Sequence, residues 1–432
     1  MARKLASIVK ICKVSPIENA DRLEVAEMEG KGWKVVIQKG EFNVGDEAVY
    51  FEIDSFLNPD DERYAFLRER CLRRFVSKSG NVLREGIRIK SIKLRGVISQ
   101  GLLLPLDNFQ EVKERIHYFT DEDVWETKDE QFVGKYVLIT RTKKEYKEYI
   151  EEDAKKYSVE HNGSRPDYDW KKYIYGDNCT PLIGADVTNL LRVEHYDEVK
   201  EQLQPAMGNP ISADALGKFP SDFIPKTDEE RIQNLGEWFQ TMKGRKWQVS
   251  CKHDGTSCTI AFSPTIDFDN PNIVCSRNLR LKRETTDGKV PIYWQMAEKY
   301  GILNKLSELL LAGEEYAVQG EIVGPGINKC RNKETDYKFY CFRIYDIKNQ
   351  KWVNPKKTVE LCKEFNIPHV QIVKDDFAFF DEITTMDEAL KFAEGKTEEG
   401  NEREGVVLKT VDDLPYASFK IVSNRYLMKQ ED

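Results

Sequence analysis

The feature that most constrains this chain is its opening: short β-rich runs broken by turn residues at spacings of about 8–12 positions. Ile8–Val14, Leu23–Ala26, Trp33–Ile37 and Val49–Ile53 are such runs. Pro16–Asp21, Gly30-Lys31-Gly32 and Gly45-Asp46 supply the turns between them. Further on, Ile87–Lys90 alternates and Gly101–Pro105 reads as a buried strand with a stop. Runs this short cannot cover both faces alone, so they predict a small barrel or sandwich.

Inside that stretch lies a basic window. Residues 68–95 hold ten Lys or Arg against two Glu, a net of +8 in a chain whose formal net charge is -8. A chain acidic overall cannot coat a polyanion everywhere, so any such site is local. Arg73, Arg74, Lys90, Lys93 and Arg95 are the candidate contacts for a phosphate track, because alternating cations on strands make one basic face. A solvated face with no partner is the plain alternative.

Residues 110–230 are polar and irregular. Lys143–Lys156 reads as a charged helix, and His161–Asn178 is rich in Gly, Asn, Asp and Tyr. After residue 231, helices alternate with strands. Ile292–Leu311 carries helical apolar spacing with a break at Gly301. Asn354-Pro355 is an N-cap followed by a proline at N1, and Thr385–Glu388 is a capping box with Gly395 as the stop. The 432 residues suffice for two or three cores. No apolar run approaches membrane-spanning length. Lys10 and Lys13 interrupt the N-terminal apolar stretch, so a first strand is expected there and not a signal peptide. The nine cysteines form no C-x-x-C pair, which predicts free thiols in a reducing, cytoplasmic setting.

The chemistry centres on Ser250-Cys251-Lys252-His253-Asp254-Gly255. A lysine ends a predicted strand just before a glycine turn. An amine at its ordinary pKa of about 10.4 is a poor nucleophile, and a nearby cation would lower that pKa. On its own K-x-D-G is short and weakly specific, and fits an ordinary strand-to-turn junction. An ordered set follows it: Arg277, then Glu321 within a strand, Tyr345 near a strand end, Glu404 opening an apolar strand, Lys409 and Lys420. Covalent nucleotidyl transfer needs a nucleophile for the α-phosphate, hard oxygen ligands for a divalent cation, cations for phosphate charge and an aromatic for the base.

This set resembles the motifs of the lysine-dependent nucleotidyltransferase superfamily of DNA ligases, RNA ligases and mRNA capping enzymes. Within it the chain most resembles the fifth family of ATP-dependent RNA ligases, on Asn19–Leu23, Glu52–Ser55, Arg95–Leu102 and Phe223–Asn234, over most of its length except roughly 110–180. The resemblance implies an α+β protein: an N-terminal OB-type β-barrel, then a mixed antiparallel-sheet-and-helix nucleotidyltransferase domain of ATP-grasp-like ligase form. It implies an OB RNA-binding domain with insertions over 1–195, a lead-in over 196–230 and an adenylyltransferase over 231–432. By it, Lys252 resembles the lysine that becomes AMP-linked, and Asp254, Glu321 and Glu404 the acids around Mg2+ or Mn2+. Gly255 resembles the ribose-facing glycine, Arg277 the ribose and phosphate arginine, and Tyr345 the base-stacking aromatic, with Phe342 second. Lys409 and Lys420 resemble the phosphate cations. Ser418 stands where many relatives have a lysine, and Ser257 where others have Asn. His253 is expected to be structural, turned away from its neighbours along a strand. The implied activity is ATP-dependent sealing of 5′-phosphate and 3′-hydroxyl RNA ends at nicks in duplex RNA or hybrids, by a monomer without a membrane partner. The rival readings are a DNA ligase, a capping guanylyltransferase and a non-catalytic RNA-binding protein. The first two normally place the OB fold after the lysine, and the third has no reason to keep the acids.

Overall fold

The alternation that marks the N-terminal runs becomes an antiparallel sheet in the structure. The structure is a computed structural model describing residues 3–140, 179–208, 215–236, 238–328, 334–398 and 400–428, with isolated positions between 145 and 175. The chain divides into two compact units, Met1–Glu29 with Trp33–Leu203, and Gly30–Gly32 with Gln204–Asp432.

In the first unit β1 (Ala6–Pro16), β2 (Leu23–Met28), β3 (Lys34–Gln38), β4 (Glu47–Phe51) and β5 (Leu102–Pro105) pair in the order β5-β4-β1-β2-β3. The register of β1 slips between Ile11 and Lys13. Its first half can therefore pair with β4 and its second half with β2, which is how a small barrel bends one strand around a corner. Both faces are buried. Val9, Ile11, Trp33, Val35 and Tyr50 pack on one side, and Ile8, Val49, Phe51 and Phe109 on the other. The hairpin of Ser91–Leu94 and Val97–Gln100 turns through Arg95 and Gly96, at φ +49° and +84°. Two consecutive positive φ values match the twist of a tight hairpin. The Val36 N–H donates to Ser99 Oγ at 2.9 Å, which ties this hairpin to β3.

The basic window lies on this hairpin and on the paired strands Leu72–Val76 and Val82–Arg88. The stretch read as irregular contains a three-stranded sheet, Ile116–Tyr118, Tyr136–Ile139 and Cys179–Pro181, around Phe119, Phe132, Val137 and Tyr175. Strands of three or four residues hold too few alternations to announce themselves in sequence. The predicted helix over Lys143–Lys156 and the tract His161–Asn178 fall, but for a few positions, outside the described residues.

In the second unit, β6 (Trp247–Lys252), β7 (Thr256–Phe262), β8 (Tyr316–Val323), β9 (Lys338–Asp346), β10 (Gly405–Thr410) and β11 (Ser418–Val422) are the strands that position the site. The order β7-β8-β9 lies within a seven-stranded sheet, and β11-β10-β6 within a five-stranded one. The helices α1 (Ile292–Lys299), α2 (Ile302–Leu311) and α3 (Pro355–Glu364) contribute Trp294, Met296, Leu306 and Leu361 to the core of the first sheet. Helix α4 (Met386–Ala393) contributes Ala389 and Leu390 to the core of the second, beside Trp247, Phe379 and Phe380.

The end signals read from sequence are those the structure uses. Gly301 adopts φ +59° between α1 and α2, the Asn354 side chain accepts the Lys356 N–H, and Thr385 and Glu388 form a capping box. The stretch 196–230 is divided: Tyr196–Leu203 is a helix of the first unit, while Ala215–Lys218 pairs with Leu279–Leu281 as a sheet edge in the second. Among the described residues, no helix is long and apolar enough to cross a membrane.

One glycine shows how tightly β8 and β9 pack. A Cβ at Gly320 would stand 2.3 Å from the Phe339 ring and 2.5 Å from the Tyr340 carbonyl oxygen. Overpacking of this kind costs about 1–3 kcal/mol. Gly320→Ala is therefore expected to lower the unfolding free energy by about that amount. Urea denaturation of the two proteins measures the difference.

Candidate active site

Strand β6 belongs to one sheet and β7 to the other, so the turn 253–255 carries the chain from sheet to sheet. Residues on either side of this turn face acids brought by neighbouring strands. Lys252 pairs in register with Gly405, which places Glu404 at the lysine. Ser257 pairs with Glu321. The turn must be narrow: a Cβ at Gly255 would lie 2.3 Å from the Ile322 carbonyl oxygen and 2.8 Å from Glu321 Cγ. A Cβ at Gly405 would lie 2.0 Å from the Ile421 carbonyl oxygen. Close backbone approach, with no need for a left-handed φ, accounts for both glycines.

Lys252 Nζ donates to Glu404 Oε2 at 2.7 Å. Burial works against the ammonium, but Glu404 and then Glu321 prevail, so the Lys252 pKa lies above lysine's ordinary value. A lowered pKa was the expectation. The structure reverses it, because Glu404, Glu321 and Asp254 together outweigh burial at the amine. Glu321 accepts the Gly255 N–H at 3.1 Å. Burial pushes its carboxyl up to about 8, with Lys252 opposing and Glu404 reinforcing the shift. Asp254 is held by Asn328 Nδ2 at 2.8 Å and by the Tyr426 hydroxyl at 2.5 Å.

A cavity of about 250 Å3 opens here, lined by Lys252, Arg277, Glu321, Phe342, Lys409 and Lys420, with Gly255, Ser257 and the lead-in residues 227–229 also on its wall. Asp254, Glu404 and Tyr345 are not among the lining residues, although Glu404 bonds Lys252 on the wall. Tyr345 is 8% exposed, packed among Phe219, Ile224, Ala261 and Ile273, with its ring edge-on to Trp352 at 4.9 Å. Of the two aromatics read as candidates for the base, Phe342 and not Tyr345 is on the cavity wall. The reason is a bulge: Gln319 pairs with Arg343 but Gly320 pairs with Cys341, so Phe342 is the extra residue. Bulges beside active sites re-aim side chains in this way. His253, also on the cavity wall, lies flat on Tyr340, with ring centroids 4.6 Å apart and planes within 5°.

The two lysines of the last motifs are buried differently. Lys409 donates to the Phe342 carbonyl, and burial together with the Arg343 charge pushes its pKa down to about 7. Burial also lowers the Lys420 pKa, while Asp228, which accepts from Lys420 Nζ at 2.8 Å, opposes the shift.

Sequence reasoning quoted the segment Phe223–Asn234 but assigned Asp228 and Glu229 no place in the site. Glu229 pairs with Arg343 at 2.8 Å, and the Arg343 guanidinium lies 4.4 Å from the centroid of the Trp352 ring. The usable signal was the run of acids leading into a strand ahead of a lysine-rich site. Asn328 and Tyr426, the holders of Asp254, had no sequence signal at all.

Among the described residues, no three His, Cys, Asp or Glu side chains converge closely enough to ligate an ion directly. Glu321, Glu404 and Asp254 nevertheless crowd negative charge around one amine, and Glu404 and Asp254 both raise the Glu321 pKa. That donor set, all oxygen, fits a hydrated divalent cation held through its water shell.

The candidate RNA contacts lie in the first unit. Arg74 pairs with Glu85 at 2.9 Å, and Arg73 donates to the Leu72 carbonyl at 2.8 Å. Arg88 is taken by Asp54, and Arg84 by Glu194. The window is therefore less basic than its sequence. Lys93 and Arg95 stand exposed at the hairpin, with Lys90 half-buried beside it.

An OB-fold domain model matches residues 5–106, and an RNA ligase model matches residues 245–425. No curated protein sequence matches the chain. Among solved structures, the Naegleria gruberi RNA ligase with pyrophosphate is similar at 30% identity and TM-score 0.69, covering 100% of both chains. A glutamate-to-alanine mutant of that ligase with ATP and manganese is 30% identical at TM-score 0.68, again covering 100% of both chains. A lysine-to-methionine mutant with AMP and manganese is 29% identical at TM-score 0.69, with the same coverage. The fold and these matches define an ATP-dependent RNA ligase, with an OB module followed by a two-sheet catalytic unit. This chain belongs to the RNA ligase family.

The Glu229–Arg343 pair yields a stability prediction. Removing one member of a buried pair costs about 3–5 kcal/mol. Glu229→Gln should destabilise the protein by about that much at neutral pH. Burial raises and Arg343 lowers the Glu229 pKa, and the net shift is downward. Its contribution is therefore fully present above the ordinary carboxylate range and lost as the pH falls below that range through the lowered Glu229 pKa. Denaturant melts of both proteins at pH 7 and at pH 3 should show the difference shrinking at the acidic end.

Proposed function

We propose that the protein seals RNA ends through a covalent adenylate on Lys252, using ATP and a divalent cation. The observation that carries this reading is the Lys252–Glu404 pair at a cavity lined by Arg277, Lys409 and Lys420. A nucleophile, its proton acceptor and three phosphate cations are together in one place. Lys252 Nζ attacks the α-phosphorus of ATP, the bond to the β-phosphate oxygen breaks, and pyrophosphate leaves. The amine must first give up a proton, and Glu404 Oε2, already its hydrogen-bond acceptor, is the base in position. Phe342 stacks on adenine, and Lys409 and Lys420 neutralise charge on the phosphates. A bound Mg2+ or Mn2+ would oppose the field of the acids that keeps the lysine protonated, and would polarise the phosphate. AMP then passes to a 5′-phosphate RNA end. A 3′-hydroxyl attacks that phosphate and AMP is released.

The first unit fits the role of holding the broken strand. Its candidate contacts are Arg73, Arg74, Lys90, Lys93 and Arg95, with Lys93 and Arg95 the most open to a phosphate backbone.

Incubation with ATP labelled at the α-phosphate is expected to leave label on the denatured wild-type protein and none on Lys252→Ala. Label persisting on the variant would remove the nucleophile assignment. A variant with Lys93 and Arg95 changed to Gln should bind nicked duplex RNA more weakly and with a shallower salt dependence, by up to about two counterions. Sealing and binding unchanged across a salt series would show that the hairpin takes no part.

A further inference from the structure

Two acids follow one another ahead of the strand Glu230–Arg231, and they are held in opposite ways. Glu229 is inside, paired with Arg343 at 2.8 Å, with its side chain 14% exposed. Asp228 is outside, its side chain 53% exposed, yet it engages two cations at once. Its Oδ1 accepts from Lys420 Nζ at 2.8 Å, and its Oδ2 lies 3.7 Å from Arg277 Nη2. Both cations line the cavity that holds Lys252.

We infer that Asp228 is a built-in stand-in for phosphate: its carboxylate occupies the Lys420–Arg277 pair in the empty protein and swings out when a polyphosphate enters. The inference rests on the reading of this cavity as the nucleotide site, and goes beyond it by giving the lead-in segment a part in the reaction. A carboxylate with one oxygen on each of two cations reproduces the charge and span of a phosphate in the same place. The backbone on its C-terminal side is fixed, because Glu230 and Arg231 pair in parallel with Phe419 and Lys420. Asp228 is thereby kept within reach of Lys420. The side chain is half in solvent, so it can leave without opening a core.

The arrangement has a selective consequence. A single anionic charge gains little by displacing a carboxylate that is already present, whereas pyrophosphate or a triphosphate brings several charges to the same two cations. The returning carboxylate would also compete with departing pyrophosphate. Asp228 thus acts as a positioning and specificity residue through Arg277 and Lys420.

The test is calorimetric binding of inorganic pyrophosphate at pH 6.5, without nucleotide or metal, to the wild type, Asp228→Asn, Asp228→Glu and Lys420→Ala. Asp228→Asn should bind on the order of tenfold more tightly than the wild type, the effect of removing one like charge beside the anion, and the gain should shrink as salt is raised. Asp228→Glu, which keeps the charge, should stay near the wild type, and Lys420→Ala should bind more weakly. Asp228→Asn binding equally or more weakly, with Lys420→Ala still impaired, would overturn the stand-in while leaving the phosphate site in place. Binding insensitive to Lys420→Ala would overturn the reading of the cavity and the inference with it.

Discussion

The ion pair between Lys252 and Glu404 is the constraint on which the rest of the second unit depends. It crosses a ladder in which β6 and β10 must be in one register and no other, since a slip of one residue would turn the acid away. That register is secured on both sides. Trp247, Val249, Val406 and Leu408 are fully buried between these strands and α4, and Gly405 allows β11 to close on β10. The pair costs desolvation that a hydrophobic substitute would avoid. Its use therefore lies in the chemistry proposed for Lys252 more than in stability.

Much of the site was legible in the sequence. Lys252, Glu321 and Glu404 were announced by short motifs in a fixed order and by their resemblance to a family, and the structure brings the three side chains together. Gly255 was legible as a glycine, but its reason was not: the Ile322 backbone that crowds it comes from a strand far along the chain. Tyr345 and Phe342 were the reverse. Both are aromatics on one strand, and nothing local distinguishes them. The bulge that separates them arises only when β9 meets β8. The holders of Asp254 and the Glu229–Arg343 pair were illegible for the same reason, since they are contacts between distant segments.

The fold divides along a similar line. The barrel strands and the helix caps at Gly301, Asn354 and Thr385 are local signals, and the structure uses them as read. The small sheet around Phe119 and Tyr175 is assembled from strands too short for any periodicity. The basic window shows a further limit. Composition counts charges but not their partners, and Glu85, Glu194 and Asp54 reach in from outside or across the sheet to neutralise Arg74, Arg84 and Arg88.

The extra residue in β9 has a consequence for how such a chain can change over time. Deleting Phe342 would restore an unbroken ladder with β8 and give a more regular sheet. It would also take away the carbonyl that receives Lys409 and the ring that faces the cavity. In the proposed chemistry, a regular sheet and a ring on the cavity wall therefore make opposite demands on a single position.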